Sequence, residues 1–148
     1  MKSLILLFTI VVSSLTAQTT DYNLKKGFIA NGYDVVSYFN NQAIEGSKKF
    51  TSVFDGVNYK FSSEKNLYEF NKNPEKYVPQ YGGYCAYAIA LKGDKVSINP
   101  EAYLIDKGKL YLFYNAWGTN TLKLWQQKDQ ELLKEKADEH WKKIKFEK

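Results

Sequence analysis

The stretch Phe50-Thr51-Ser52-Val53-Phe54-Asp55-Gly56-Val57-Asn58-Tyr59-Lys60-Phe61-Ser62-Ser63 carries the strongest local signal in the chain. Phe50, Ser52 and Phe54 share one side of an alternating run, and Val57, Tyr59 and Phe61 resume the alternation beyond Asp55-Gly56. An Asp-Gly pair between alternating runs supplies two residues that tolerate positive φ, the requirement of a tight hairpin turn. Ser62 and Ser63 then offer an N-cap, and Leu67 and Phe70 recur at helical spacing until Asn73-Pro74 stops them, which predicts a helix over about 63–72. Residues 75–78 add one further turn, ended by Pro79.

Working outward toward the C-terminus, Tyr81-Gly82-Gly83-Tyr84-Cys85-Ala86-Tyr87-Ala88 holds the only cysteine of the chain. The glycines allow a tight turn and close approach, and Ala86 to Leu91 read as a helix start with Cys85 in its first turn. Free N–H groups there would favour a thiolate. A small buried apolar residue is the competing reading of a lone cysteine. Tyr81, Tyr84 and Tyr87, with Gly82 and Gly83, are the candidate neighbours of a pocket around Cys85; Tyr38, Tyr59 and Tyr77 could line it too, and core aromatics are the competing reading of all six tyrosines. Beyond a loop, the apolar arms 102–105 and 110–114 flank Asp106-Lys107-Gly108-Lys109 and predict a second hairpin, its second arm buried on both faces. After Gly118, the residues Leu122, Trp125, Leu132, Leu133, Ala137, Trp141 and Ile144 form an apolar stripe of a docked helical segment.

Toward the N-terminus, Gly32-Tyr33-Asp34 reads as a turn and residues 35–39 as a short strand. Asp34 is read as making that turn through its side chain, and residues 18–23 as a mobile polar lead-in. Lys2, the apolar run 4–12 and a small residue at Ala17 predict a signal peptide over 1–17, too short to span a bilayer. The chain is therefore expected to be exported, periplasmic or secreted, without stable membrane anchoring. The remainder suffices for one domain. Two hairpins with interspersed helices predict an α+β class, a small and mostly antiparallel sheet with packed helices.

The net charge of +5 comes from 21 lysines against 16 acids, with no arginine. Without a guanidinium fork, and with export, the balance argues against a nucleic-acid partner. One cysteine cannot form an internal disulfide. His140 is the sole histidine and Met1 the sole methionine, so no zinc-like ligand cluster is present in the sequence. There is no triad order, phosphate loop or paired-carboxylate signature, and the chain reads more as a binding protein than as an enzyme.

The run from Gly56 to Tyr77, ending Asn73-Pro74-Glu75-Lys76-Tyr77, resembles the YHS domain family, and the flanking runs 32–39 and 80–86 resemble its exported branch, in which selenocysteine can occupy the position of Cys85. The resemblance covers most of 28–145. It implies a domain of the same α+β kind and a link to metal handling, with copper as the soft-ion candidate and Cys85 as its ligand. Ser62, Ser63 and Asn66 stand where such domains can carry thiols, and none is a soft donor. Three readings follow: an exported binding or sensing module centred on Cys85 that takes a small ligand or metal ion; a redox protein in which Cys85 pairs with a thiol of a protein partner; or a structural domain with an inert buried cysteine.

Overall fold

The computed structural model describes residues 18–148, and the signal peptide expected over 1–17 lies outside the described residues. Both predicted hairpins form. Strands β3 (Ser47–Phe54) and β4 (Val57–Phe61) pair antiparallel, with Asp55 at φ 49° and Gly56 at φ 72° in the turn. Positive φ at both central residues matches the right-handed twist of the strands, which is why Asp-Gly serves there. Two short N-terminal strands, β1 (Leu24–Lys25) and β2 (Phe28–Ile29), extend this sheet in the order β1-β2-β4-β3, with β2 running parallel to β4. The second hairpin, β5 (Asn99–Asp106) with β6 (Lys109–Phe113), makes a separate sheet, and residues 110–113 are all buried as their unbroken apolar run predicts.

Helix α1 (Glu64–Lys72) starts where expected: the Ser63 hydroxyl accepts the Asn66 N–H at 3.1 Å, Glu64 lies in the first turn and Lys72 in the last. Both charges complement the macrodipole. Phe70 is the buried anchor of α1, its ring centroid 4.6 Å from Tyr59 and 4.9 Å from Phe61. Pro74–Tyr77 follow as a single 3-10 turn.

The opposite half is helical. Helix α2 (Ala86–Lys92) ends at Gly93, whose φ of 74° closes it in the left-handed cap. A small hairpin, β7 (Asn115–Ala116) and β8 (Thr119–Asn120), precedes α3 (Thr121–Gln126) and α4 (Gln130–Ile144). The apolar stripe is thus split between two helices, because Asp129 accepts the Leu132 N–H and starts a new one. Trp125, fully buried against Phe113 and Tyr111, and Leu133 and Ala137 form its core side, whereas Leu132 is exposed. No described helix is long and apolar enough to cross a membrane.

Two expectations are corrected. Residues 35–39 are not a strand: Asp34 folds them into a turn that runs into the 3-10 helix Ser37–Asn40, since its carboxylate accepts the Val36 and Ser37 N–H groups. Nor is the polar lead-in free: Asp21 N–H donates to Lys145 O, Asn23 N–H to Gly82 O, and the Tyr22 hydroxyl to Asp55. These bonds join the N-terminal segment to the end of α4 and to the glycine turn.

Candidate functional site

The approach to Cys85 is set by backbone geometry. Tyr81 (φ 54°), Gly82 (φ 60°) and Gly83 (φ 79°) are successively left-handed. A Cβ on Gly82 would stand 2.6 Å from Asp21 O and 2.8 Å from the Trp141 ring, so only glycine fits against the docked lead-in. Tyr81 accepts the uncommon conformation because its ring is buried and its hydroxyl donates to Asp138 at 3.0 Å.

Cys85 is the N-cap of α2 and is itself 0% exposed. Its N–H donates to Val96 O at 3.0 Å, and its C=O accepts from Ile89. The thiol makes no capping bond to α2, so the free helical N–H groups expected to face it are not its partners. Its partners lie on the chain that leaves β6. Tyr114 N–H donates to Sγ at 3.3 Å, and Thr121 Oγ1 lies 3.3 Å from Sγ. The Thr121 hydroxyl gives its single proton to Tyr114 O at 2.8 Å, so the shared contact is satisfied by S–H donating to Thr121 Oγ1. The β7–β8 hairpin makes this circuit possible. It returns the chain so that Thr121 N–H also meets Tyr114 O, and its tip carries Trp117, 97% exposed.

Cys85 forms the floor of a groove of about 270 Å³. Tyr87, Ala88 and Leu91 of α2 make one wall, Val96 and Tyr114 the other. The lining is largely apolar, with Lys92 and Asp94 also bordering it. Of the six residues singled out from sequence, Cys85 and Tyr87 meet here. Tyr81 and Gly82 line a different cleft with Asp138 and Trp141, and Gly83 is pressed against Ile29 and Pro79. Tyr84 turns to the docked lead-in, where its hydroxyl donates to Asp21 at 2.8 Å. Burial and then the Asp21 carboxylate push the Tyr84 hydroxyl up to about 12, and burial with Asp138 raises Tyr81 further, so both act as neutral donors. Tyr114, Thr121 and Leu91 are site residues that local sequence reasoning does not find. The first two meet the thiol from 29 and 36 positions away, and no spacing signals it.

A second polar centre lies at Asp34, fully buried. Its Oδ1 accepts the N–H groups of Val36 (2.9 Å) and Ser37 (3.3 Å); its Oδ2 accepts the Ser62 N–H (2.8 Å), the Ser62 hydroxyl (2.6 Å) and the Asn66 amide (2.7 Å). Asp34 therefore makes the predicted turn and also ties it to the end of β4 and the start of α1. The carboxylate's acceptor sites are filled by donors of the chain itself.

Neither centre suits a soft metal ion. Ser62 and Asn66 are committed to Asp34, and Cys85 has only a hydroxyl and an amide N–H within reach. His140 uses Nδ1 on Ile89 O at 2.7 Å. Among the described residues no three His, Cys, Asp or Glu side chains gather as a metal site.

Comparison with protein families matches the YHS domain to residues 35–81, a span that contains the β3–β4 hairpin, α1 and the Pro74–Tyr77 turn and ends four residues before Cys85. Searches of curated proteins and of solved structures gave no match.

Proposed function

Taking the YHS domain at residues 35–81 as premise, we propose that this chain is an exported binding module whose ligand seat is the groove over Cys85. The ligand class is a small, uncharged, largely apolar molecule. One observation carries the reading: a fully buried thiol, hydrogen-bonded only to Tyr114 and Thr121, floors an apolar groove open to the outside. A cavity of this size lined by aliphatic and aromatic side chains, with a few convergent polar atoms at its base, has the make-up of a small-molecule site. Copper-type metal handling finds less support, because Cys85 lacks a second soft donor. Cys85 has no exposure at rest, so a partner protein's thiol and a small molecule alike reach its sulfur only when the groove side chains move aside, and a small molecule needs the lesser opening.

The test is alkylation of Cys85 in the folded protein, followed by mass spectrometry. N-ethylmaleimide, small and neutral, is expected to label it faster than a bulky anionic maleimide by at least ~10-fold, and Ala88→Phe, which fills the wall, to slow the neutral reagent comparably. Labelling that waits for global unfolding would overturn the proposal. Protection by copper(I) at stoichiometric amounts would replace it with the metal reading.

A further inference from the structure

A cavity of about 410 Å³ shares no lining residue with the Cys85 groove. Four lysines line it: Lys25 on β1, Lys26 in the β1–β2 turn, Lys48 on β3 and Lys60 on β4. Glu45 is its one acidic residue. None of the four ammonium groups forms a salt bridge among the described residues, although lysines 95, 107, 134 and 143 elsewhere do.

The fold brings these charges together by identifiable means. Lys26 (φ 52°) and Gly27 (φ 81°) make the tight turn that sets Lys25 and Lys26 beside the sheet. The β3–β4 register breaks between Ser47 and Thr51, so Lys48 sits in a bulge rather than in the regular ladder. Lys60 is half-buried, its ammonium 4.5 Å from the Phe28 ring centroid. A Cβ on Gly32 would stand 3.2 Å from Lys60 Nζ, and one on Gly46 2.4 Å from Lys60 Cβ, so two glycines leave room for that side chain. The wall beyond includes Asn31, Tyr33 and Pro100. Asn31 (φ 55°) and the preceding Ala30 (φ 51°) are both left-handed, an uncommon pair for residues with a Cβ.

Bringing four like charges around one cavity raises their mutual repulsion, and an anion seated among them removes it. Lysine binds phosphate as a point charge, needing no planar fork. We infer that this cavity is an anion site for a small phosphate- or pyrophosphate-bearing molecule, separate from the Cys85 groove and independent of its reading.

Pyrophosphate is the probe. Titration calorimetry on the purified protein is expected to give saturable one-site binding that weakens with salt. Lys25→Gln with Lys60→Gln should lower the affinity at least ~10-fold, and Lys128→Gln with Lys136→Gln, which removes the same charge at exposed positions outside the cavity lining, should change it less than about twofold. Amide NMR of the unmutated protein should move Asn31 and Tyr33 first, a readout that does not depend on the folding of a variant. Retention on phosphatidylglycerol vesicles that pyrophosphate displaces would identify the phosphate as a lipid headgroup; pyrophosphate binding without retention would identify a free ligand. No saturation, equal loss in both double variants, or shifts spread over all surface lysines would overturn the site.

Discussion

Asp34 and Cys85 are both fully buried, both near the start of a turn or helix, and both reached by hydrogen bonds from distant chain, yet they are opposites. Asp34 accepts five hydrogen bonds, and nothing of its carboxylate is left for a ligand. Cys85 donates its S–H to Thr121 Oγ1 and accepts the Tyr114 N–H, each at 3.3 Å, a distance suited to the larger sulfur atom, and a groove lies beside it. Burial of a polar side chain alone does not mark a site. A polar centre enclosed by its donors holds the fold, and one with a groove beside it can also meet something else.

The contrast is broken most sharply by Asp34→Ala. It strands the donors of Ser62, Asn66, Val36 and Ser37 together and is expected to cost about 3–5 kcal/mol in urea or thermal unfolding. Asp34→Asn should cost less, since its amide oxygen keeps one set of donors while its NH2 faces the other. If either change were neutral, the structural role assigned to Asp34 would fail. Next comes Cys85→Ala, expected to cost about 1–2 kcal/mol from a small cavity and the unpaired Tyr114 N–H. Its cost should stay clearly below that of Asp34→Ala; an equal cost would make Cys85 a core residue like any other.

The smallest effect concerns the tie between the N-terminal segment and the glycine turn. Lys95 Nζ lies 2.9 Å from Asp21 Oδ2 and also donates to Glu147 O. Burial alone would raise the Asp21 carboxyl, but the hydrogen bonds of Lys95 and Tyr84 outweigh it and hold it below the usual carboxylate value. A carboxyl depressed in the folded state contributes stability that is complete above its unfolded pKa of about 3.9 and lost as pH falls through the folded value. Asp21→Asn is expected to cost under about 1 kcal/mol at pH 7, and the difference from the unmutated protein should vanish in strongly acidic solution. A gap that persisted or widened in acid would rule out that tie. Amide exchange at Asp21 and Asn23, whose N–H groups donate to Lys145 O and Gly82 O, gives a second view of whether the segment stays docked.

Elements governed by neighbours in sequence were legible in it. Asp55-Gly56 and Lys107-Gly108 announce their hairpins, Ser63 its helix, and the glycines the turn before Cys85, because turn and cap chemistry acts over a few residues. Residues 35–39 read as extended but curl: their apolar run is short, and the side chain that curls it is itself pinned by Ser62 and Asn66, 28 and 32 positions on. The lead-in looked mobile for the same reason, since its partners Lys145 and Gly82 lie far along the chain. Of the candidate pocket, Cys85 and Tyr87 were visible as residue types, but Tyr81 and Tyr84, one and four positions before Cys85, point elsewhere, to Asp138 and Asp21.

By itself the sequence determined the α+β class, both hairpins, the cap of α1, the turn geometry at Gly82-Gly83 and the identity of the lone thiol, because each depends on local backbone preference or on composition. Only the tertiary structure decided which polar side chain would be saturated, which thiol partners would come from the far side of β6, and where four lysines would converge. Those outcomes depend on closing loops of tens of residues, and local propensity carries no information about which ends will meet.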